Sequence, residues 1–156
     1  MRPAHTPIGL RLTAVSRAVS RAFDDALAVA GGSLPMWLVL INLKMRNVAS
    51  QRELAQAMGI REATLTHHLN GMESGGLVTR HRDPANRRIH VVQITDAGEA
   101  MFLALRDAAM AFDSQLRAGL TSQEIATLDG LLGRLAANVD ADQAGLPWQG
   151  LVEGRP

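Results

Sequence analysis

The sequence predicts a mainly α-helical fold with one small β-hairpin, arranged as a winged helix-turn-helix flanked by N- and C-terminal helices. Three observations carry this reading. Two short amphipathic segments, about 51–58 and 62–74, are separated only by a turn at Gly59-Ile60-Arg61, and helices joined so tightly form a helix-turn-helix. Gly75-Gly76 ends the second segment, and Leu77 to Arg82 and Ile89 to Ile94 then have the length and β-branched content of paired strands. Long helical stripes stand on either side of this unit.

The elements follow in order. Ile8, Leu12, Val15, Val19, Phe23, Leu27 and Ala30 recur at three- and four-residue steps, the stripe of one long helix closed by Gly31-Gly32. Ser33-Leu34-Pro35 opens a second helix to about Met45, with proline in the tolerant first turn. Ser50-Gln51-Arg52-Glu53 is a capping box that starts a short helix with Leu54, Ala55 and Met58 inward, stopped by Gly59. The next helix, about Glu62 to Ser74, turns Leu65, Leu69 and Met72 to one face. Asp83-Pro84-Ala85-Asn86 supplies turn residues between the strands, with Arg87-Arg88 after them. Thr95 or Asp96 caps a fifth helix whose expected apolar face is Ala97, Ala100, Met101, Ala104, Leu105, Ala108 and Phe112. Thr121-Ser122-Gln123-Glu124 is a second capping box, opening a last helix expected to bury Ile125, Leu128, Leu132, Leu135 and Val139. This divides the chain into N-terminal helices over 1–47, a winged lobe over 48–95, C-terminal helices over 96–141 and a loose tail over 142–156.

Composition narrows the function. The chain has no cysteine, which removes a disulfide scaffold, a thiol sensor and a Cys-ligated zinc site. Its longest apolar run, Met36 to Ile41, is far too short to span a bilayer, and Met1 to His5 lack an apolar signal region. A cytoplasmic protein without a membrane partner is expected. Net charge is only +1, yet residues 1–95 hold twelve Lys/Arg against six Asp/Glu, while residues 96–156 hold four against nine. A basic working surface on the first part is the simplest use of that asymmetry.

The second helix of the helix-turn-helix fits a major groove, where exposed polar side chains on its N-terminal half reach base edges. With Leu65, Leu69 and Met72 inward, Arg61, Thr64, His67 and His68 face outward, flanked by Thr66 and Asn70. In the hairpin, Arg80, Arg82, Arg87 and Arg88 against Asp83 give a local +3 over residues 77–94. Arginine at a hairpin tip suits a narrow minor groove. One such unit reads too few base pairs for useful specificity, so a homodimer on palindromic duplex DNA is expected. The wide apolar stripes of the first and last helices, which a small lobe cannot bury alone, would then be dimerisation surfaces.

Other chemistry is poorly supported. His67 and His68 point about 100° apart on a helix, a poor chelating pair, and neither they nor His81 and His90 fall in a metal-binding spacing. No phosphate-cradling loop or nucleophile elbow is present, so no metal, no cofactor and no catalysis are expected. The rival reading is a winged-helix protein-interaction module without DNA binding.

Taken in order and spacing, Gln51/Glu53/Leu54/Ala55, Thr64-Leu65-Thr66, Met72 to Val78, Asn86-Arg87-Arg88 and Val92 to Gly98 make residues 50–102 resemble the MarR (multiple antibiotic resistance regulator) family. It implies a transcription regulator, more commonly a repressor, with Arg88 as the wing arginine. It also implies a cleft between dimer helices and lobe that takes a small aromatic or phenolic effector, with Arg17, Met36, Trp37 and Met101 as walls, although Trp37 fits the core better than the cleft. The chain departs from the pattern at three positions: Arg61 where the family has Ser or Thr, His67 where Arg is common, and Asn86 where Asp is common.

Overall fold

The computed structural model describes residues 7–46 and 50–139. The tail expected over 142–156, and the expected boundary at 47/48, lie outside them.

Helix α1 (Ile8–Val29) ends at Gly31, whose φ of +90° suits glycine. The Leu34 amide donates to Asp24 Oδ1 at 2.8 Å and the Met36 amide to the Ser33 hydroxyl at 3.4 Å. Both bonds cap α2 (Leu34–Met45), which leaves α1 at 79°. Among the described residues no single helix is long and apolar enough to cross a membrane. The Ser50/Glu53 capping box forms as the sequence suggests and starts α3 (Gln51–Met58); Gly59, at φ +65°, ends it. Helix α4 (Glu62–Ser74) follows directly.

Strands β1 (Val78–Arg82) and β2 (His90–Ile94) pair antiparallel, with Val78 opposite Ile94 and Arg82 opposite His90. Each starts one residue later than the pattern suggests. The Leu77 amide is already committed to the Met72 carbonyl, and that of Ile89 to the Asn86 carbonyl, both at 2.8 Å. Ser50 bridges to Val91, which ties the start of α3 to the hairpin. Thr95, rather than Asp96, caps α5 (Asp96–Leu116), and Thr121 with Glu124 forms the expected box before α6 (Ser122–Asn138).

Helix α2 is the axis of the core. It buries Trp37, Val39, Leu40 and Ile41 and packs against α1, α3, α4, α5 and β2. Leu27, Leu54, Leu65, Leu69, Met72, Val78, Val92, Phe102 and Leu105 complete a single cluster, with removal of this apolar area from water as its main driving force.

Two expectations need correcting. The buried face of α5 is Gly98, Phe102 and Leu105, while Ala97, Ala100 and Ala104 are exposed. The stripe is rotated by about one residue because α5 docks on the hairpin base through Gly98. A Cβ at Gly98 would overlap the Leu77 carbonyl oxygen. The Thr95 hydroxyl also donates to the Gly76 carbonyl, and the Thr95 amide to that of Leu77. The second correction concerns α6, which buries no residue within the chain: Ile125 and Leu135 are half-buried, whereas Leu128, Leu132 and Val139 are exposed. Among the described residues nothing offers α6 an extended surface to pack on.

Candidate nucleic-acid interface

The inward set Leu65, Leu69 and Met72 fixes the rotation of α4 about its axis. Arg61, Thr64, His67 and Asn70 are consequently exposed, and His68 is half-buried with its ring edge-on to His67 at 5.9 Å. Arg61 occupies the N-cap in extended backbone and makes no side-chain cap bond, as its departure from Ser or Thr implies. Thr66 is half-buried. Its hydroxyl donates to the Glu62 carbonyl at 2.9 Å and accepts from Gln51 Nε2 at 2.6 Å, tying α4 to α3.

The hairpin lies beside α4. Alternation along β1 puts Arg80 on the same side as buried Val78 and opposite buried Val92. Arg80 therefore turns toward α4 and does not stand free in the wing. Its Nε and Nη2 donate to Glu73 Oε2 at 3.1 and 2.6 Å, its Nη2 to Asn70 Oδ1 at 2.6 Å, and its backbone amide to Glu73 Oε1 at 3.1 Å. The side-chain bond from Arg80 holds the Glu73 carboxyl below its ordinary pKa; partial desolvation opposes this, and the charge and amide of Arg80 reinforce it. Asn70 and Arg80, both expected at the DNA surface, are thus partners of each other.

At the wing tip, Asp83 Oδ1 accepts from the Ala85 amide at 2.7 Å and Asn86 Oδ1 from the Arg88 amide at 3.2 Å. Asn86 shapes the turn through backbone, a task that needs no carboxylate. Arg82, Arg87 and Arg88 are exposed, and none pairs with a carboxylate among the described residues. A hollow of about 490 Å³ lies between helix-turn-helix and hairpin, lined by Gln51, Thr66, Glu73, Arg80 and His90. Among the described residues no three His, Asp or Glu side chains gather where they could hold a metal ion.

The residues expected to wall an effector cleft fall in different settings. Trp37 is 2% exposed and stacks on Phe102 with centroids 5.7 Å apart, so it belongs to the core. Met36 and Met101 are half-buried, and Arg17 is exposed on the part of α1 that precedes its buried end. The sequence reading gave no site role to Gln51 or Glu73. Strand alternation counted from Val78 would have turned Arg80 inward and led to Glu73; nothing local marks the reach of Gln51 to Thr66.

Comparison with known proteins agrees with this geometry. The MarR family pattern matches residues 33–90. The uncharacterized HTH-type transcriptional regulator YdgJ of Bacillus subtilis (strain 168) is 25% identical over 134 residues, 86% of this chain and 80% of that protein. The crystal structure of the transcriptional regulator PA3341 is 31% identical, with a TM-score of 0.73 over 87% of this chain and all of that one. A mutant MarR from E. coli, solved in complex with operator DNA, shares the fold at a TM-score of 0.74 and 24% identity, over 83% of this chain and 93% of its own. With a winged helix-turn-helix built on the expected elements and relatives of this kind, the chain belongs to the MarR family of transcriptional regulators.

Proposed function

We propose that two copies of this chain bind a two-fold symmetric stretch of duplex DNA in the cytoplasm and repress transcription there until a small aromatic or phenolic effector releases them. One observation carries the reading: the exposed polar face of α4 lies beside a hairpin whose Arg82, Arg87 and Arg88 have no carboxylate partner among the described residues. In this reading α4 enters the major groove, Thr64 and His67 meet base edges, and Arg61 meets a phosphate or a base. Arg88 enters the adjacent minor groove and Arg87 contacts a phosphate.

The second copy is supported by apolar surface that one chain leaves open. Ile8, Leu12 and Val15 on α1, Leu116 on α5, and Leu128, Leu131 and Leu132 on α6 are each more than 40% exposed. Pairing these helices would bury that surface and set two recognition helices about 34 Å apart, one turn of DNA. An effector acts by favouring a dimer with a different separation, through its differential affinity for the two states. Met36, Met101 and Arg17 remain the proposed cleft walls, and Trp37 is left to the core.

The test is titration of the full chain against a duplex of its own upstream intergenic DNA, at two salt concentrations. Site-specific binding in the nanomolar range that weakens steeply with salt supports the reading. Arg88→Ala should weaken binding to every sequence and make the salt slope shallower by about one, whereas His67→Ala should change base preference. No difference between that duplex and a random one, at either salt, would leave a protein-interaction module as the better description.

A further inference from the structure

Glu73 is an acidic side chain beside the surface proposed to meet a polyanion, and it accepts three hydrogen bonds from one residue, Arg80, seven positions away across the Gly75-Gly76 turn. The Arg80 side chain is only 19% exposed, and its Nη2 is shared between Glu73 and Asn70. The interaction spans two elements: Asn70 and Glu73 lie one turn apart on α4, while Arg80 lies in the middle of β1. A planar guanidinium held at two nitrogens, with the same residue's amide on the second carboxylate oxygen, fixes orientation as well as distance. Beside this bond network opens the hollow lined by Gln51, Thr66, Glu73, Arg80 and His90.

We propose that Arg80 is a positioning residue, seated on Glu73 and Asn70, that sets the angle between recognition helix and wing, and that Glu73 is therefore required for DNA affinity although its charge opposes DNA. This rests on the DNA-binding reading above and adds to it which cation is not a phosphate contact. A free carboxylate near phosphates lowers affinity, so its removal should tighten binding. Glu62, exposed in the first turn of α4 with no ion-pair partner among the described residues, is that ordinary case. The two glutamates of one helix are thus expected to behave oppositely.

The experiment compares Glu62→Gln, Glu73→Gln, Arg80→Lys, Arg80→Gln and the Glu73→Gln/Arg80→Gln pair on the upstream duplex and on a random-sequence duplex, over a range of salt. Glu62→Gln should bind as tightly as the parent or tighter, and Glu73→Gln about tenfold more weakly. Arg80→Gln should weaken binding to a similar extent with an unchanged salt slope, and the pair no further than either single variant. Arg80→Lys, which keeps the charge and loses the fork, should not restore affinity. Glu73→Gln binding as tightly as Glu62→Gln, or Arg80→Lys binding like the parent with Arg80→Gln flattening the salt slope, would overturn the proposal in favour of a phosphate contact.

A second readout needs no DNA. In the free protein the Arg80 amide donates to Glu73 Oε1, so its hydrogen exchange should accelerate about tenfold in Glu73→Gln while the amides of α2 keep the parent rate. Unchanged exchange at Arg80 sinks the clamp even if the parent chain binds no DNA. Exchange that accelerates together throughout α2 also counts against it, because the variant has then lost global stability.

Discussion

The winged lobe and the outer helices are built from the same sequence devices and end in different states. Helix α3 begins with a Ser-x-x-Glu box and buries Leu54 and Ala55; α6 begins with a Thr-x-x-Glu box and buries nothing. Leu65 and Leu69 in the lobe are fully buried, whereas Leu128, Leu131 and Leu132 in α6 are 41–48% exposed. Caps and apolar periodicity decide that a segment is helical. They do not decide what covers its apolar side. The lobe closes on α2 and α5 within one chain, and the outer helices are left with apolar faces open.

Substitutions can test that contrast, and the largest effect is expected inside the lobe. Leu69→Ala should cost about 2–5 kcal/mol, since it opens a cavity in a fully closed core. Urea unfolding should show that loss unchanged between dilute and concentrated protein. Next comes the joint between the two regions. Gly98→Ala forces a methyl group into backbone at Leu77 and should cost roughly 1–3 kcal/mol, read as a lower thermal midpoint. Leu132→Asp, in α6, should barely alter unfolding of the monomer but shift the dimer-to-monomer midpoint by about tenfold or more, read by light scattering across a dilution series. A parent chain that is monomeric at micromolar concentration would remove the contrast altogether.

Acid should act on both regions, most gently of all. Glu73 and Glu124 each have a pKa below the ordinary 4.5, Glu73 through Arg80 and Glu124 through the backbone amide and then the hydroxyl of Thr121. A lowered carboxylate contributes in full above its unfolded pKa, and that contribution disappears as pH falls through the folded value. Stability should hold above about pH 4.5 and fall below it, with Glu124→Gln removing the α6 part of the change. Circular dichroism against pH, in the parent and in that variant, reads it directly.

The fold was largely legible because its punctuation is local. Ser33, Ser50, Thr95 and Thr121 cap helices within three residues of themselves, and Gly31, Gly59 and Gly76 take the positive φ that ends or follows them. The inward face of α4 and the exposure of Thr64 and His67 followed from periodicity for the same reason, and that of Arg88 from its place in the hairpin turn. What stayed hidden depends on which elements touch. Counting alanines as apolar missed the rotation of α5, because Gly98 packs by lacking a side chain. Reading Arg80 as a wing cation missed that β1 turns it onto Glu73. The exposed stripe of α6 meets no partner among the described residues, and periodicity, which marks an apolar face, does not say what covers it.

The seating of Gly98 against Leu77 also has a mechanical side. Because α5 is seated on the foot of the hairpin, a tilt of the helix should carry the wing with it, and at 21 residues the helix gives an arm of roughly 30 Å. Pivoting the far end of such an arm by about 10° displaces the near end by roughly 5 Å, more than the 3.4 Å or so between successive base pairs. In the proposed dimer, a modest swing at the interface would thereby be magnified into a missed step on the DNA.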